Sequence, residues 1–132
     1  MSTLTELGAH LVTKNIGALG TSLFLDHMPM GVENAVSVVH MSAASPIRAM
    51  GASLSAPVAD VPAIQVVVRN ASHSDGEAKV KAVIDALDFY SGTLGSTKYL
   101  LVTLEYGPVY VGLDENNRHR WSIAFRAVKR RS

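Results

Sequence analysis

The sequence predicts an α+β domain, a mainly antiparallel (mixed) sheet of four to five strands with two helices packed on it. Three observations carry this expectation. Near the C-terminus, Trp121, Ile123, Phe125 and Ala127 alternate with Ser122, Ala124, Arg126 and Val128, the period-two pattern of a strand with one face in a core. Runs rich in β-branched and apolar residues recur at Ala35–His40, Ile64–Arg69 and Tyr99–Leu104. Two further stretches open on capping boxes and continue with apolar residues at helical spacing. The 132 residues suit a single domain, 1–132, and a chain of that length buries enough surface to hold a core without staples.

In chain order, Thr3-Leu4-Thr5-Glu6 reads as a capping box, with the Thr3 hydroxyl accepting from the Glu6 amide while Glu6 reaches back. Leu4, Leu7, Leu11 and Val12 form the apolar stripe, and the helix should end between Asn15 and Gly17. Leu23-Phe24-Leu25 reads as a short extended segment. Asp26 to Gly31 reads as a loop, because Pro29 biases Met28 away from helix. Ala35–His40 is the first clear strand. Met41 to Val61 carries Pro46, Gly51 and Pro57 and has no clean period. A gap of this length inside a compact domain is unusual and is often functional. It also carries Ile47, Arg48, Met50 and Leu54, poorly suited to free solvent. It reads as an inserted arm, at about 41–61, that orders against a neighbour, or as a hairpin tip.

Ile64–Arg69 is the second clear strand. Ser74-Asp75-Gly76-Glu77 reads as a second capping box, followed by Val80, Val83, Ile84 and Leu87 at i, i+3, i+4 and i+7, the stripe of a helix lying on a sheet. Its other face offers Lys79, Lys81, Asp85 and Asp88. Ser91 to Ser96 should end the helix before the Tyr99 strand. Asp114-Glu115-Asn116-Asn117 is a cluster of turn formers, so Tyr99 to Val128 reads as a meander or hairpin.

Composition narrows the functions available. The chain has no cysteine, which removes disulfides, thiolate metal sites and cysteine nucleophiles. The formal charge of +1 sets up no overall field for nucleic acid or acidic membrane. No apolar run approaches the roughly twenty residues that span a bilayer, and no basic-then-apolar leader opens the chain. The expectation is a soluble chain made in the cytoplasm, with no membrane partner. The five histidines, His10, His27, His40, His73 and His119, form no zinc-binding pair. Asp26-His27 lacks a serine in a nucleophile-elbow context. Gly17-Ala18-Leu19-Gly20 lacks the lysine of a phosphate loop, and Asp114 to Asn117 lacks the spacing of a calcium loop. No catalytic residue, cofactor site or metal site emerges, and the reading is that the chain is not an enzyme. Positive charge does gather late, at Arg118, Arg120, Arg126, Lys129, Arg130 and Arg131. Phosphate-backbone contact, a solvated sheet face and ion pairing with a neighbouring subunit all fit this cluster.

Taken together, five stretches in order resemble a known family: Leu23-Phe24 followed by His27-Met28-Pro29; Asn34-Ala35-Val36; Pro62 to Arg69; the capped helix ending Ile84-Asp85-Ala86-Leu87; and Gly112 to His119 running into Trp121-Ser122-Ile123-Ala124-Phe125. The chain resembles the tail terminators of long-tailed bacteriophages, often labelled minor capsid or tail completion proteins. The likeness covers nearly the whole chain, though residues 43–60 match no part of it.

The resemblance implies a tail-terminator-like fold and a structural virion protein at the head–tail junction. Such a protein forms a homohexameric ring that caps the tail tube, stops tube polymerisation and joins the tail to the head connector. The implied partners are the chain itself, the tail tube protein, connector or neck proteins, and DNA passing through the lumen without sequence reading. A heterologous interface of this kind closes or grows according to its rotation, and edge strands can pair with a neighbour's arm. The expected subunit or tube contacts are Ile47, Arg48, Met50, Leu54, Tyr99 and Thr103. Lys79, Lys81, Arg118 and Arg120 are the candidates for a charged, channel-facing surface. The alternatives are a head-completion or neck protein, and a small nucleic-acid-binding module using the C-terminal basic cluster.

Overall fold

The computed structural model describes residues 3–40, 44–47, 59–94 and 97–130. The elements run α1 (Thr3–Thr13), β1 (Leu23–Leu25), β2 (Ala35–His40), β3 (Ala44–Ile47), β4 (Ala59–Val61), β5 (Ala63–Asn70), α2 (His73–Leu87), β6 (Tyr90–Leu94), β7 (Thr97–Leu113) and β8 (His119–Arg130). This is the expected α+β class, with eight strands among the described residues rather than four or five. The extra strands are short or lie where periodicity carries no signal.

Strand β8 is the spine of the sheet. Along one edge it pairs antiparallel with β5, from Ala63↔Arg126 to Asn70↔His119, and then with β4 at Asp60↔Lys129. Between them the Ala127 amide donates to the Pro62 carbonyl, so proline sits where its missing N–H costs the ladder nothing. Along its other edge β8 pairs with β7. Outward from β5 lie β2, antiparallel, and β1, parallel to β2 with Leu23 opposite Val36. β3 flanks β4 and β6 flanks the first part of β7.

Two short strands, β3 and β4, lie within the segment read as an arm or hairpin tip at 41–61. They form an antiparallel pair that widens the sheet, with Ala44 opposite Val61 and Ile47 opposite Ala59. Strands of three and four residues, one containing Pro46, are too short to show alternation, and an edge position tolerates the proline. Residues Ser91 to Leu94, expected to do no more than end the helix, belong to β6. Its Tyr90 packs on the His10 ring at 4.2 Å between centroids.

Both helices cover one face of the sheet. Ile64, Val66 and Val68 of β5, Trp121, Ile123, Phe125 and Ala127 of β8, and Val36 and Val38 of β2 meet Leu7 and Leu11 of α1 and Val80, Val83 and Leu87 of α2. At about 25 cal/mol per Å² of apolar surface removed from water, this layer is what holds the fold. Helix α1 departs from the predicted stripe. Val12 faces solvent, while Glu6 and His10 are buried beside Leu7 and Leu11. The Glu6 carboxylate turns inward to accept from the Tyr99 hydroxyl at 2.8 Å. The helix stops where Asn15 takes a left-handed φ of 61° and the Ile16 amide returns to the Leu11 carbonyl. Helix α2 is capped by Ser72, whose hydroxyl accepts from the Asp75 amide, and not by Ser74 as the sequence pattern indicated. Cap motifs overlap in Ser72-His73-Ser74, and the earlier serine holds the extended backbone that a cap needs.

His10 makes a testable acid response. Its Nε2 lies 3.0 Å from the Ala86 carbonyl oxygen. Burial lowers its pKa, the Ala86 carbonyl opposes that shift, and Lys14 adds to it. The unfolded chain then binds a proton more readily than the folded one, so stability is full above the ordinary imidazole range near pH 6.5 and falls as pH drops through it. His10→Asn should flatten this part of the stability profile, as read from urea midpoints between pH 7.5 and 5.5.

Candidate assembly surface

Strand β7 is 17 residues long, and two different surroundings divide it. Up to Val102 it has β6 on one edge and β8 on the other. Beyond Val102 the β6 side carries no strand among the described residues. Asp88, the residue that ends α2, turns its carboxylate onto the Leu104 amide at 2.9 Å, and from Glu105 onward the edge is open. This open portion is unusually apolar. Tyr106, Val109, Tyr110, Val111 and Leu113 are each about half exposed. A long, exposed, apolar edge strand is a template for pairing, which monomers normally blunt with charge, proline or a bulge. Here the ladder does carry irregularities between Leu104 and Gly112. One centres on Gly107, whose φ of +100° and Cβ position 2.9 Å from the Ser122 carbonyl oxygen leave room for no side chain. Pro108 follows it.

The far end of the hairpin is firmly held. In the 114–118 turn, Asp114 Oδ1 accepts from the amides of Asn116 and Arg118, and Oδ2 accepts from Arg118 Nε at 2.8 Å. Partial burial would raise the Asp114 pKa, but the Arg118 and Asn116 amides and the Arg118 guanidinium outweigh it, so the carboxyl titrates below its usual range. Arg118 Nη1 then donates to the carbonyls of Met30 and Val32, at 2.7 and 3.2 Å. Arg69, on β5, donates to the carbonyls of Pro29 and Val32. Arg118 thus ties the tip of the β7–β8 hairpin, and Arg69 the end of β5, to the loop between β1 and β2.

Just below the hairpin turn, on the α2 side, His73, Tyr110, His119 and Trp121 gather into a ring cluster. The His73 and His119 centroids are 5.1 Å apart, the Tyr110 hydroxyl and His119 Nδ1 share a 2.7 Å hydrogen bond, and His73 meets Glu77 at 2.8 Å. A groove of about 300 Å³ runs beside it, between Val80 and Ile84 of α2 and Pro108 and Tyr110 of β7.

The sequence-predicted residues separate on this structure. Tyr99 is fully buried and bonded to Glu6, so its side chain belongs to the core of the subunit. Thr103, opposite Arg126, is half-buried where β6 ends. Arg48, Met50 and Leu54 lie outside the described residues. Ile47 closes β3, with only its backbone described. Among the charged candidates, Lys81 is exposed and Lys79 donates to the Ile16 carbonyl at 2.7 Å. Arg118 precedes β8 and is buried in the turn pair, so it offers no charge to a channel-facing surface. Arg120 lines a cleft with Arg69. Sequence reasoning missed Arg69, although a lone cation ending an apolar strand was its available signal. It also missed the meeting of His73 and His119, which depends on the register of β8. Among the described residues, no three His, Asp or Glu side chains converge as metal ligands would, and no helix is long and apolar enough to cross a membrane.

A family profile described as "Bacteriophage tail terminator protein" matches residues 10–131. The chain belongs to the bacteriophage tail terminator family. No curated protein matches it. Among solved structures it is similar to a chain of the "Virion of native gene transfer agent (GTA) particle", at 16% identity and a TM-score of 0.65, covering 99% of this chain and all of that one. At that identity the likeness speaks for the fold. As a tail terminator the chain is a structural protein of the virion tail.

Proposed function

We propose that six copies of the chain close into a ring that caps the tail tube, halts its polymerisation and joins the tail to the head connector, with DNA passing through the lumen unread. The observation that carries this reading is the open edge of β7 from Glu105 to Leu113, with its exposed apolar side chains. A tail terminator needs a contact that repeats from copy to copy and closes, and an unpaired strand offers backbone groups and apolar surface for that purpose. Thr103 stands at the start of this edge, and the 41–61 segment, with Ile47, Arg48, Met50 and Leu54, is proposed as a second contact to a neighbour or to the tube. Lys81 is the exposed candidate for charge toward the lumen.

Native mass measurement of the purified chain, alone and mixed with tail tubes, tests the proposal. The expected result is a species of six times the 14.1 kDa chain mass, seated at one end of the tubes, which stop growing. A monomer that ignores tubes and binds duplex with a steep salt slope would replace the ring with a nucleic-acid-binding module. A ring that binds connectors and not tubes would make it a neck protein.

A further inference from the structure

The cleft under the hairpin tip is charged in a way that the fold does not use. It has a volume of about 460 Å³, its walls include Met28, Met30, Val67 and Leu113, and Arg69 and Arg120 line it. Arg69 is 4% exposed, yet among the described residues its Nε has no hydrogen-bond partner, and Arg120 Nε and Arg118 Nη2 are likewise unpaired. Among the described residues, the Arg120 guanidinium makes one long contact, to the Leu113 carbonyl at 3.5 Å. Both Asp114 oxygens are already bound by Arg118 and the turn amides. Buried guanidinium donors are costly to leave unmade. Their mutual repulsion is felt here, because burial and then the neighbouring Arg118 push the Arg69 pKa down while Asp114 opposes them.

We propose that this cleft binds a carboxylate carried on an apolar protein segment, with Arg69 and Arg120 holding the carboxylate and the two methionines packing its apolar flanks. Counting Arg69, Arg118 and Arg120 against Asp114 and Glu115 leaves one net positive charge, which one carboxylate balances. The planar fork of a guanidinium matches a carboxylate in two-point geometry. The methionines supply an adaptable apolar wall. A duplex phosphate backbone fits poorly, because Asp114 and Glu115 line the same cleft and would repel its successive charges. The inference does not depend on the ring, since every residue in it belongs to one subunit.

Fluorescence anisotropy of the full-length chain with a labelled short peptide, one glutamate between leucines, tests this directly. The glutamine version of the peptide should bind about tenfold more weakly, the equivalent of roughly 1.4 kcal/mol. Arg120→Gln should remove the preference for glutamate, and Arg120→Lys should restore only part of it, because a point charge replaces a fork. Arg69 is left intact in these variants because it also holds the Pro29 loop. Circular dichroism of each variant should match the parent. Equal binding of the two peptides, or an undiminished preference in Arg120→Gln, would overturn the proposal. So would displacement of the peptide by inorganic phosphate or by a short duplex at lower concentration than by acetate, which would make the site a phosphate site.

Discussion

A chain carrying Val109→Lys together with Val111→Lys should fold as the parent does and fail to form rings. Both valines are about half exposed, at 47% and 51%, so lysine can reach solvent without disturbing the core. Fold stability should move by no more than about 0.5 kcal/mol, the usual range for surface positions. At the open edge the consequence is different. Two ammonium groups replace apolar contact, and any neighbour laying its own backbone along β7 must desolvate them. This is the device by which natural edge strands refuse partners. Native mass should shift entirely to the monomer, and tubes mixed with the variant should keep growing. A variant that still assembles would place the subunit contact elsewhere, with the 41–61 segment next to be tested by deletion of residues 43–60.

Gly76→Ala should destabilise the fold by about 1–3 kcal/mol, the cost of overpacking a core. The sign is informative, because helix propensity alone would make the same change favourable by about 1 kcal/mol. Gly76 lies in the first turns of α2, and a Cβ built there falls 2.2 and 2.3 Å from Cζ3 and Cη2 of Trp121. Trp121 is itself buried, opposite Val68 on one side and Tyr110 on the other, so the indole has little room to retreat. In a Trp121→Leu background the clash disappears, and Gly76→Ala should become neutral or stabilising. Urea denaturation of the four chains gives the coupling as a double-mutant cycle. Additive effects would mean that the helix and the indole do not meet as described.

Periodicity gave away the central strands and both helices because each presents one face to a common core. The alternation of Trp121 to Val128 is reproduced in burial except at Ala124, which is covered from the other side. Elements at the margins were harder to read. β3, β4 and β6 are three to five residues long, too short for a repeat to declare itself, and their strand identity comes from partners far away in sequence. The inward turn of Glu6 and the seat of His10 on α1 are not legible in the sequence because their partners, Tyr99 and Ala86, are 93 and 76 residues off. The same limit applies at the surface. Arg118 and Arg120 stand two apart and look alike in sequence, yet one is sealed in a turn and the other lines a cleft. Charge could be counted from the sequence, but its direction depended on where the chain bends.

The Arg118 guanidinium that ties the hairpin tip to the loop between β1 and β2 has a mechanical consequence. A β-hairpin held only at its root can be peeled open one rung at a time from its free end. With the tip anchored as well, a pull along the strands must strain the rungs of the β7–β8 ladder together, in shear. The hairpin then behaves as a strut, and a push at one end of the subunit reaches β1 and β2 at the opposite side of the sheet with little lost to bending.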